Sequence, residues 1–367
     1  MLNANWYILG PCSAESREQV METARQLKNA CGSFPFIFRA GIWKPRTSPN
    51  TFQGVGEEGL AWLREVKEQF GVPVATEVVT PEHVRMALEA GIDYLWIGAR
   101  SSANPIVIQS IADEIQRFKD LKIQKFKDSN LHNYSLKAVL IKNPVNADGR
   151  LWIGNIERLE KTGVPVIAVH RGCNHAPCWS MAHEVRLARP DIPMLLDPSH
   201  MSGDAKKVPE LMKKVEELGL DGAMVEVHNN PSAALSDATQ QLTPEGLTAT
   251  LIDRYADRPA SPDRPQTKSA DRFELNWLRA EMDELDERLW ETIDERMEVS
   301  RKIGEWKKAN GVAPLQPERY QEIVERLKAR GERQEARGER REDSEFLLRV
   351  WDLIHAESVR RQLEIKN

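Results

Sequence analysis

Apolar positions in the first two-thirds of the chain gather into eight short runs. They are WYILGPCS (6–13), FIFRAGIWKPRTSP (36–49), VPVATEV (72–78), YLWIGAR (94–100), AVLIKNP (138–144), VPVIAVHRG (164–172), PMLLDPSH (193–200) and GAMVEVH (222–228). The runs are rich in β-branched residues and bounded by Gly, Pro and polar turns, which suits strands buried on both faces. Between them lie segments such as EEGLAWLREVKEQF and PEHVRMALEA, whose apolar residues recur at helical spacing. Eight strand–helix alternations predict an α/β fold, a (β/α)8 TIM barrel over 1–255. In that architecture the C-terminal strand ends form the functional face. The residues ending these runs are Cys12, Arg39, Lys44, Glu77, Arg100, Lys142, Arg171, His200 and Glu226.

Beyond residue 255 the pattern changes. RYADRPASPDRPQTKSADR (254–272) is polar and interrupted by proline, which predicts an interdomain linker at 256–271. Over 273–309 the residues Trp277, Leu278, Met282, Leu285, Leu289, Ile293, Met297, Ile303 and Trp306 fall mostly three or four apart, predicting one long amphipathic helix. Two further helices are predicted at 317–340 and 343–365. A helix much longer than about 25 residues needs a partner along its length. The small all-α domain at 272–367 is therefore expected to dimerise, giving a homodimer or a higher homo-oligomer. The repeat in ARGERQEARGERRE (329–342) reads as a solvated helix face. The charged RFKDLKIQKFKDSNLHN (117–133) reads as a surface extension of helix and loop.

Composition narrows the partners. With 51 Lys+Arg against 56 Asp+Glu the net charge is only −5, so bulk charge argues for neither nucleic acid nor a membrane surface. No apolar stretch approaches the roughly 20 residues that span a bilayer. The N-terminus is expected to enter the first strand directly, without a signal peptide or an N-terminal regulatory domain. The four cysteines, Cys12, Cys31, Cys173 and Cys178, are expected to stay reduced, and the location expected is the cytoplasm.

Two sets of residues carry chemistry. Cys12, His200 and Glu226 lie at or beyond three separate strands, and Asp237 lies in the loop after the eighth. A barrel brings such positions to one face. One thiolate, one imidazole and two carboxylates suit one divalent transition ion, Mn, Fe, Co or Zn, acting as a Lewis acid on a carbonyl oxygen. Buried cysteine is also a common apolar filler, so spacing alone leaves that alternative open. A second group, Cys173, His175, Cys178 and His183, lacks the paired spacing of a structural zinc site and reads as an active-site loop entering a helix. The other set is cationic: Arg39, Lys44, Arg46, Arg100, Lys142 and Arg171 at one barrel mouth. Six such charges need anionic ligands to offset their repulsion, and two phosphorylated substrates, at least one with a carboxylate, match the count. No GxxxxGK[ST] loop is present, so nucleotide hydrolysis is not indicated.

The motifs GPCS, KPRTSP, IGAR, IKNPVN, HRG, DPSH and MVEVH…LSDATQQLTPE, over about 1–250, resemble 3-deoxy-D-arabino-heptulosonate 7-phosphate (DAHP) synthase of the type Iβ branch. The resemblance implies condensation of phosphoenolpyruvate with erythrose 4-phosphate at the entry to the shikimate pathway. It implies Cys12, His200, Glu226 and Asp237 as metal ligands. Arg39, Lys44, Arg100, Lys142 and Arg171 would hold phosphoenolpyruvate, and Pro45, Arg46 and Thr47 would receive erythrose 4-phosphate. The loop in HRGCNHAPCW is shorter than is usual in that family. The closest rival is 3-deoxy-D-manno-octulosonate 8-phosphate synthase, against which KPRTSP argues.

The C-terminal LRAEMDELDERLWETIDERMEVSRKIGEWKK, LQPERYQEIVERL and AESVRRQ resemble chorismate mutase of the all-helical type. That resemblance implies Arg279, Arg296, Lys307, Arg319 and Gln362 as catalytic residues and Ser358 as substrate-binding, with no cofactor in this domain. Arg279 is the residue implied to cross into a partner's site. Gln316 and Tyr320 stand where the family often has acidic residues. The rival reading is a regulatory dimerisation module without activity, and ligand in the helical domain is expected to regulate the barrel.

Overall fold

The computed structural model describes residues 6–46, 48–125, 136–174, 176–252, 270–336 and 344–364. Thr47, His175 and most of the expected linker lie outside the described residues, as do 126–133 and 337–342 of the two charged segments. The chain divides into two compact units, Met1–Glu281 and Met282–Asn367.

The first unit is a closed parallel barrel of β1 (Trp6–Gly10), β2 (Ile37–Arg39), β3 (Val74–Glu77), β4 (Tyr94–Ile97), β5 (Ala138–Lys142), β6 (Val166–His170), β7 (Met194–Leu196) and β8 (Gly222–Glu226). The eight expected strands are all here, in chain order around the barrel. Closure runs from Trp6 opposite Gly222 to Gly10 opposite Glu226, so the ends of β1 and β8 are level. Gly222 permits this closeness: a Cβ there would stand 2.0 Å from the Trp6 carbonyl oxygen of β1. Alternate side chains point inward, where Ile8, Ile37, Trp96, Leu140, Val169 and Met224 fill the barrel. The other set, including Leu9, Phe38, Val74 and Val139, packs outward against the helices. Each such fully buried side chain contributes about 1.5–3 kcal/mol.

Helices start where the sequence supplies a cap. Ser16 accepts from Gln19 N–H, Thr80 from His83 N–H, Asp148 from Leu151 N–H and Asp197 from His200 N–H. The helix after β4 runs Pro105–Lys125, covering the start of the expected 117–133 extension.

The long helix spans Ala270–Ala309. Its early residues belong to the barrel unit. Trp277 is buried, donates from Nε1 to the Leu218 carbonyl at 3.1 Å and stacks on His183. Glu281 accepts from or pairs with His183 Nδ1 at 2.6 Å. Helical periodicity marks Trp277 as apolar-facing but cannot name the surface it meets. In the second unit the helices Pro317–Ala336 and Ser344–Leu363 follow. Met297, Ser300 and Ser358 are buried there, while Leu285, Leu289, Trp290, Ile303 and Trp306 are exposed.

Candidate active sites

Strand ends deliver the first site. Cys12 lies two residues past β1, Arg39 ends β2, Glu77 ends β3, Lys142 ends β5, and Glu226 ends β8. Arg171 follows β6, and His200 sits in the short helix Pro198–Ser202 after β7. Cys12, His200, Glu226 and Asp237 offer ligand atoms that all lie within 4.8 Å of one another. Cys12 Sγ is 2.9 Å from Asp237 Oδ2, and His200 Nε2 is 3.5 Å from Glu226 Oε1. His200 Nδ1 faces Asp197, 2.9 Å from Oδ2, which leaves Nε2 to face the cluster. This donor set, soft and hard together and converging from four separate segments, fits a divalent transition ion. It is the one such cluster among the described residues. His183 of the rival group is instead engaged by Trp277 and Glu281.

Electrostatics favour charged carboxylates here. Burial opposes charge on Asp237, but His200, the Cys12 hydrogen bond, Lys44 and Arg46 hold it down at about 2. Burial likewise opposes charge on Glu226, and His200 and Arg39 draw it below its ordinary value. Burial and the neighbouring Glu226 push the Cys12 thiol up, so a metal must displace that proton as it binds.

Beside the cluster opens a cavity of about 370 Å³ lined by Arg39, Lys44, Arg46, Arg100, Lys142 and Arg171. Pro45 also lines it. All the cations expected at the mouth are therefore brought together. Lys142 Nζ is 2.5 Å from Asp197 Oδ2, and Lys44 Nζ is 3.2 Å from Cys12 Sγ and 3.5 Å from Glu77 Oε2. Arg46 Nη1 approaches Asp237 Oδ1 at 3.6 Å, and Arg171 Nη2 donates to the His200 carbonyl at 3.3 Å. Arg39 lies over the Trp96 ring at 4.8 Å and donates from Nη2 to Glu226. Its Nε and Nη1 are buried without a protein partner. Buried guanidinium donors left unpaired are costly, so they mark a place for an anion.

Sequence reasoning passed over Asp197. It ties Lys142 to His200, and a carboxylate at i against a histidine at i+3 in DPSH is the signal that identifies it. Gln240 was also missed. Its Nε2 donates to Glu226 Oε2 at 2.7 Å.

In the helical unit, Arg296 Nη1 donates to Ser358 Oγ at 2.5 Å and to the Ile354 carbonyl at 3.4 Å. Gln362 Nε2 donates to Ser300 Oγ at 2.9 Å, and its buried Oε1 has no partner. Lys307 Nζ donates to the Pro314 carbonyl at 2.7 Å, and burial lowers its pKa. Arg319 is exposed and pairs with Glu322. Tyr320 donates to Asp352 Oδ1 at 2.8 Å. Arg279 is exposed on the part of the long helix that belongs to the barrel unit. The structure thus gathers Arg296, Ser358 and Gln362 around Ser300 and leaves Arg319 at the surface.

Comparison with known proteins bears on both units. The model of the DAHP synthetase I family matches residues 3–119 and 124–254, and that of chorismate mutase type II matches 278–363. A phospho-2-dehydro-3-deoxyheptonate aldolase of Thermotoga maritima is 32% identical over 240 residues, 64% of this chain and 64% of that protein. The chain thus spans about 64% of that relative's length. A 2-dehydro-3-deoxyphosphooctonate aldolase of Campylobacter jejuni subsp. doylei is 28% identical over 250 residues, 64% of this chain and 91% of that protein. A crystal structure of the Thermotoga maritima DAHP synthase superposes with a TM-score of 0.56 at 29% identity, covering 69% of each chain. The first family match runs through every strand of the barrel and all four residues of the metal-type cluster, and on that ground the chain belongs to the DAHP synthetase I family.

Proposed function

We propose that the barrel condenses phosphoenolpyruvate with erythrose 4-phosphate to DAHP, and that the helical unit rearranges chorismate to prephenate. The observation that carries the first half is the pair of unmatched Arg39 donors in a cationic cavity that adjoins a four-ligand cluster. One divalent ion, Mn, Fe, Co or Zn, held by Cys12, His200, Glu226 and Asp237, would polarise the aldehyde carbonyl. Arg39, Lys44, Arg100, Lys142 and Arg171 hold the phosphate and carboxylate of phosphoenolpyruvate, so that its C3 faces that carbonyl. Pro45, Arg46 and Thr47 receive the erythrose phosphate. C3 bonds to the aldehyde carbon, water adds at C2, and inorganic phosphate leaves. Asp197, held well below the carboxylate range by His200 and Lys142 against the cost of burial, stays charged and keeps both neighbours oriented.

The mutase reaction needs no nucleophile and no cofactor. Its requirement is a compact dicarboxylate and a stabilised ether oxygen. Arg296, Arg319 and Ser358 bind substrate carboxylates in this reading, and Lys307 and Gln362 donate to the ether oxygen. Arg279 serves the site of a second copy, which makes the working protein at least a dimer. We assign it to the cytoplasm; among the described residues no helix is long and apolar enough to cross a membrane.

The octulosonate relatives favour one alternative for the barrel, a five-carbon acceptor. Assay of the full chain with erythrose 4-phosphate and with arabinose 5-phosphate, with and without chelator, separates the two. Turnover of arabinose 5-phosphate alone would overturn our reading. Formation of prephenate from chorismate by the same protein tests the second half, and its absence leaves a regulatory module.

A further inference from the structure

The chain returns past the end of β8 and lays Leu242 alongside it. Val227 bridges Leu242, and His228 N–H donates to the Leu242 carbonyl at 2.9 Å. Two consecutive buried glutamines lead into this return: Gln240 ends the 3-10 turn Ala238–Gln240, and Gln241 follows in extended backbone. The change of backbone conformation between them sends the two side chains to different partners. Gln240 Nε2 donates to Glu226 Oε2 at 2.7 Å. Gln241 Oε1 accepts from the backbone N–H of Cys12 at 3.0 Å, and its Nε2 donates to the Ser236 carbonyl at 2.8 Å. Only one orientation of that amide satisfies both partners. Ser236 is further tied to Ser13 by a hydroxyl–hydroxyl contact of 2.5 Å.

We infer that Gln241 is the clamp that fixes the distance between Cys12 and Asp237, and that Gln240 orients Glu226; both are positioning residues for the metal. The inference rests on the metal reading proposed above. The two ligands clamped by Gln241 come from opposite ends of the barrel sequence, and no strand connects them beyond Gly10. Asp237 also needs holding: its φ of 51° is a left-handed conformation that a residue with a Cβ adopts at a cost. Gln241 grips the residue before it and the amide of Cys12 itself. The carboxylate and thiol are thereby kept 2.9 Å apart before any ion arrives. Gln240 acts differently, occupying one Glu226 oxygen while Arg39 takes the other at 3.1 Å, which fixes the carboxylate plane. Partners of this kind typically set 10–100-fold in metal affinity.

The two glutamines then predict two different defects. Full-length protein stripped of metal is titrated with Co(II) against a competing chelator, while the thiolate-to-cobalt charge-transfer absorption reports the Cys12 contact. Gln241→Met keeps the size and removes both hydrogen bonds. It should weaken Co(II) binding about 10–100-fold and diminish or shift the thiolate band. Gln241→Glu retains the acceptor for the Cys12 amide but sets a carboxylate oxygen against the Ser236 carbonyl, so only the Asp237 side of the clamp opens; it should lose less affinity than Gln241→Met and shift the band by less. Gln240→Met should weaken binding with the band unchanged, since its contact is to Glu226. Thermal melts identify which variants are folded; if Gln241→Met is not, Gln241→Glu and Gln240→Met still decide. Wild-type affinity and an unchanged spectrum in the folded variants overturn the clamp while leaving the metal site standing. A wild-type chain that takes up no Co(II) overturns both. A uniform loss of affinity with the same spectral change in every variant marks general loosening and also refutes the assignment.

Discussion

The two units of this chain solve the problem of holding charge in opposite ways. In the barrel, Arg39, Lys142, Asp197 and Glu226 are buried, and each has an ionic partner that arrives from another strand. Among the described residues, the four-ligand cluster and the cations beside it come from one chain. In the helical unit, Arg319 is exposed beside Glu322 from its own helix, and Leu285, Leu289, Ile303 and Trp306, which share one face of the long helix, are exposed. A barrel closes on itself and can bury ions because eight strand ends surround them. In our proposal the helical site also takes Arg279 from a second copy, and the exposed apolar residues of the long helix offer that copy a surface. The proposal therefore makes one site a property of the monomer and the other of the dimer.

The largest effect that tests this contrast is on the metal-type cluster. Cys12→Ala should abolish both metal uptake and DAHP formation, and chelation of the unaltered protein should do the same. Chorismate turnover should persist in both cases. Retained DAHP synthesis in fully metal-free protein, checked by elemental analysis, would remove the barrel half of the comparison.

Next comes Lys307, which we propose as an ether-oxygen donor. Lys307→Ala should slow chorismate turnover about 10²–10³-fold, equivalent to roughly 2.7–4 kcal/mol, with DAHP synthesis intact. The contrast sharpens if Arg279→Ala, inactive as a mutase by itself, is mixed with Lys307→Ala. Hybrid dimers contain one site with both residues present, so activity should return on mixing. No recovery, despite exchange of subunits shown by mass, would place Arg279 in its own chain's site or in none.

How much of this was legible in the residues follows the same division. Strands β1 to β8 and their terminal charges could be read because a doubly buried strand is a short apolar run with an abrupt end. Cys12, His200, Glu226 and Asp237 could be read because barrel topology converts sequence order into one ring. Gln240 and Gln241 could not, since a hydrogen bond between positions 240 and 226 or 241 and 12 leaves no period; Asp197 carried one local signal, its offset of three from His200 in DPSH, while its contact to Lys142 left none. In the helices, length and polarity were readable, but the partner of each apolar face was not. Trp277 carries the same spacing as Leu289 yet is buried against Leu218 and His183, whereas Leu289 stays exposed.

A third test uses pH to separate the units. His170, at the end of β6, is wholly buried, and its pKa is pushed down to about 4 by burial, opposed by its hydrogen bond to the Pro177 carbonyl. Unfolding returns the ring to its ordinary value near 6.5. Between those values the unfolded chain binds more protons, so stability falls as pH is lowered from about 6.5 to about 4. The loss for this group approaches about 3 kcal/mol at the lower end. Barrel melting should therefore drop across this window, and His170→Gln should flatten the slope. A slope unchanged by His170→Gln would assign the acid sensitivity to other groups.

The smallest expected effect probes the helical unit alone. Ser358 Oγ accepts from Arg296 Nη1 at 2.5 Å and donates to the Ile354 carbonyl at 2.8 Å, so it holds the guanidinium in one direction. Ser358→Ala removes one hydrogen bond to a charged group, worth about 1.5–3 kcal/mol when intact. Arg296 keeps its longer contact to the Ile354 carbonyl, so part of its orientation survives. Chorismate turnover should then fall about tenfold, the low end of that range. Ser358→Thr, which retains the hydroxyl, should restore most of it. The DAHP rate should not move, because no residue of the barrel site lies in this contact. If Ser358→Ala left mutase kinetics unchanged, Arg296 would be held by its backbone contact alone, and the buried serine would be a packing residue.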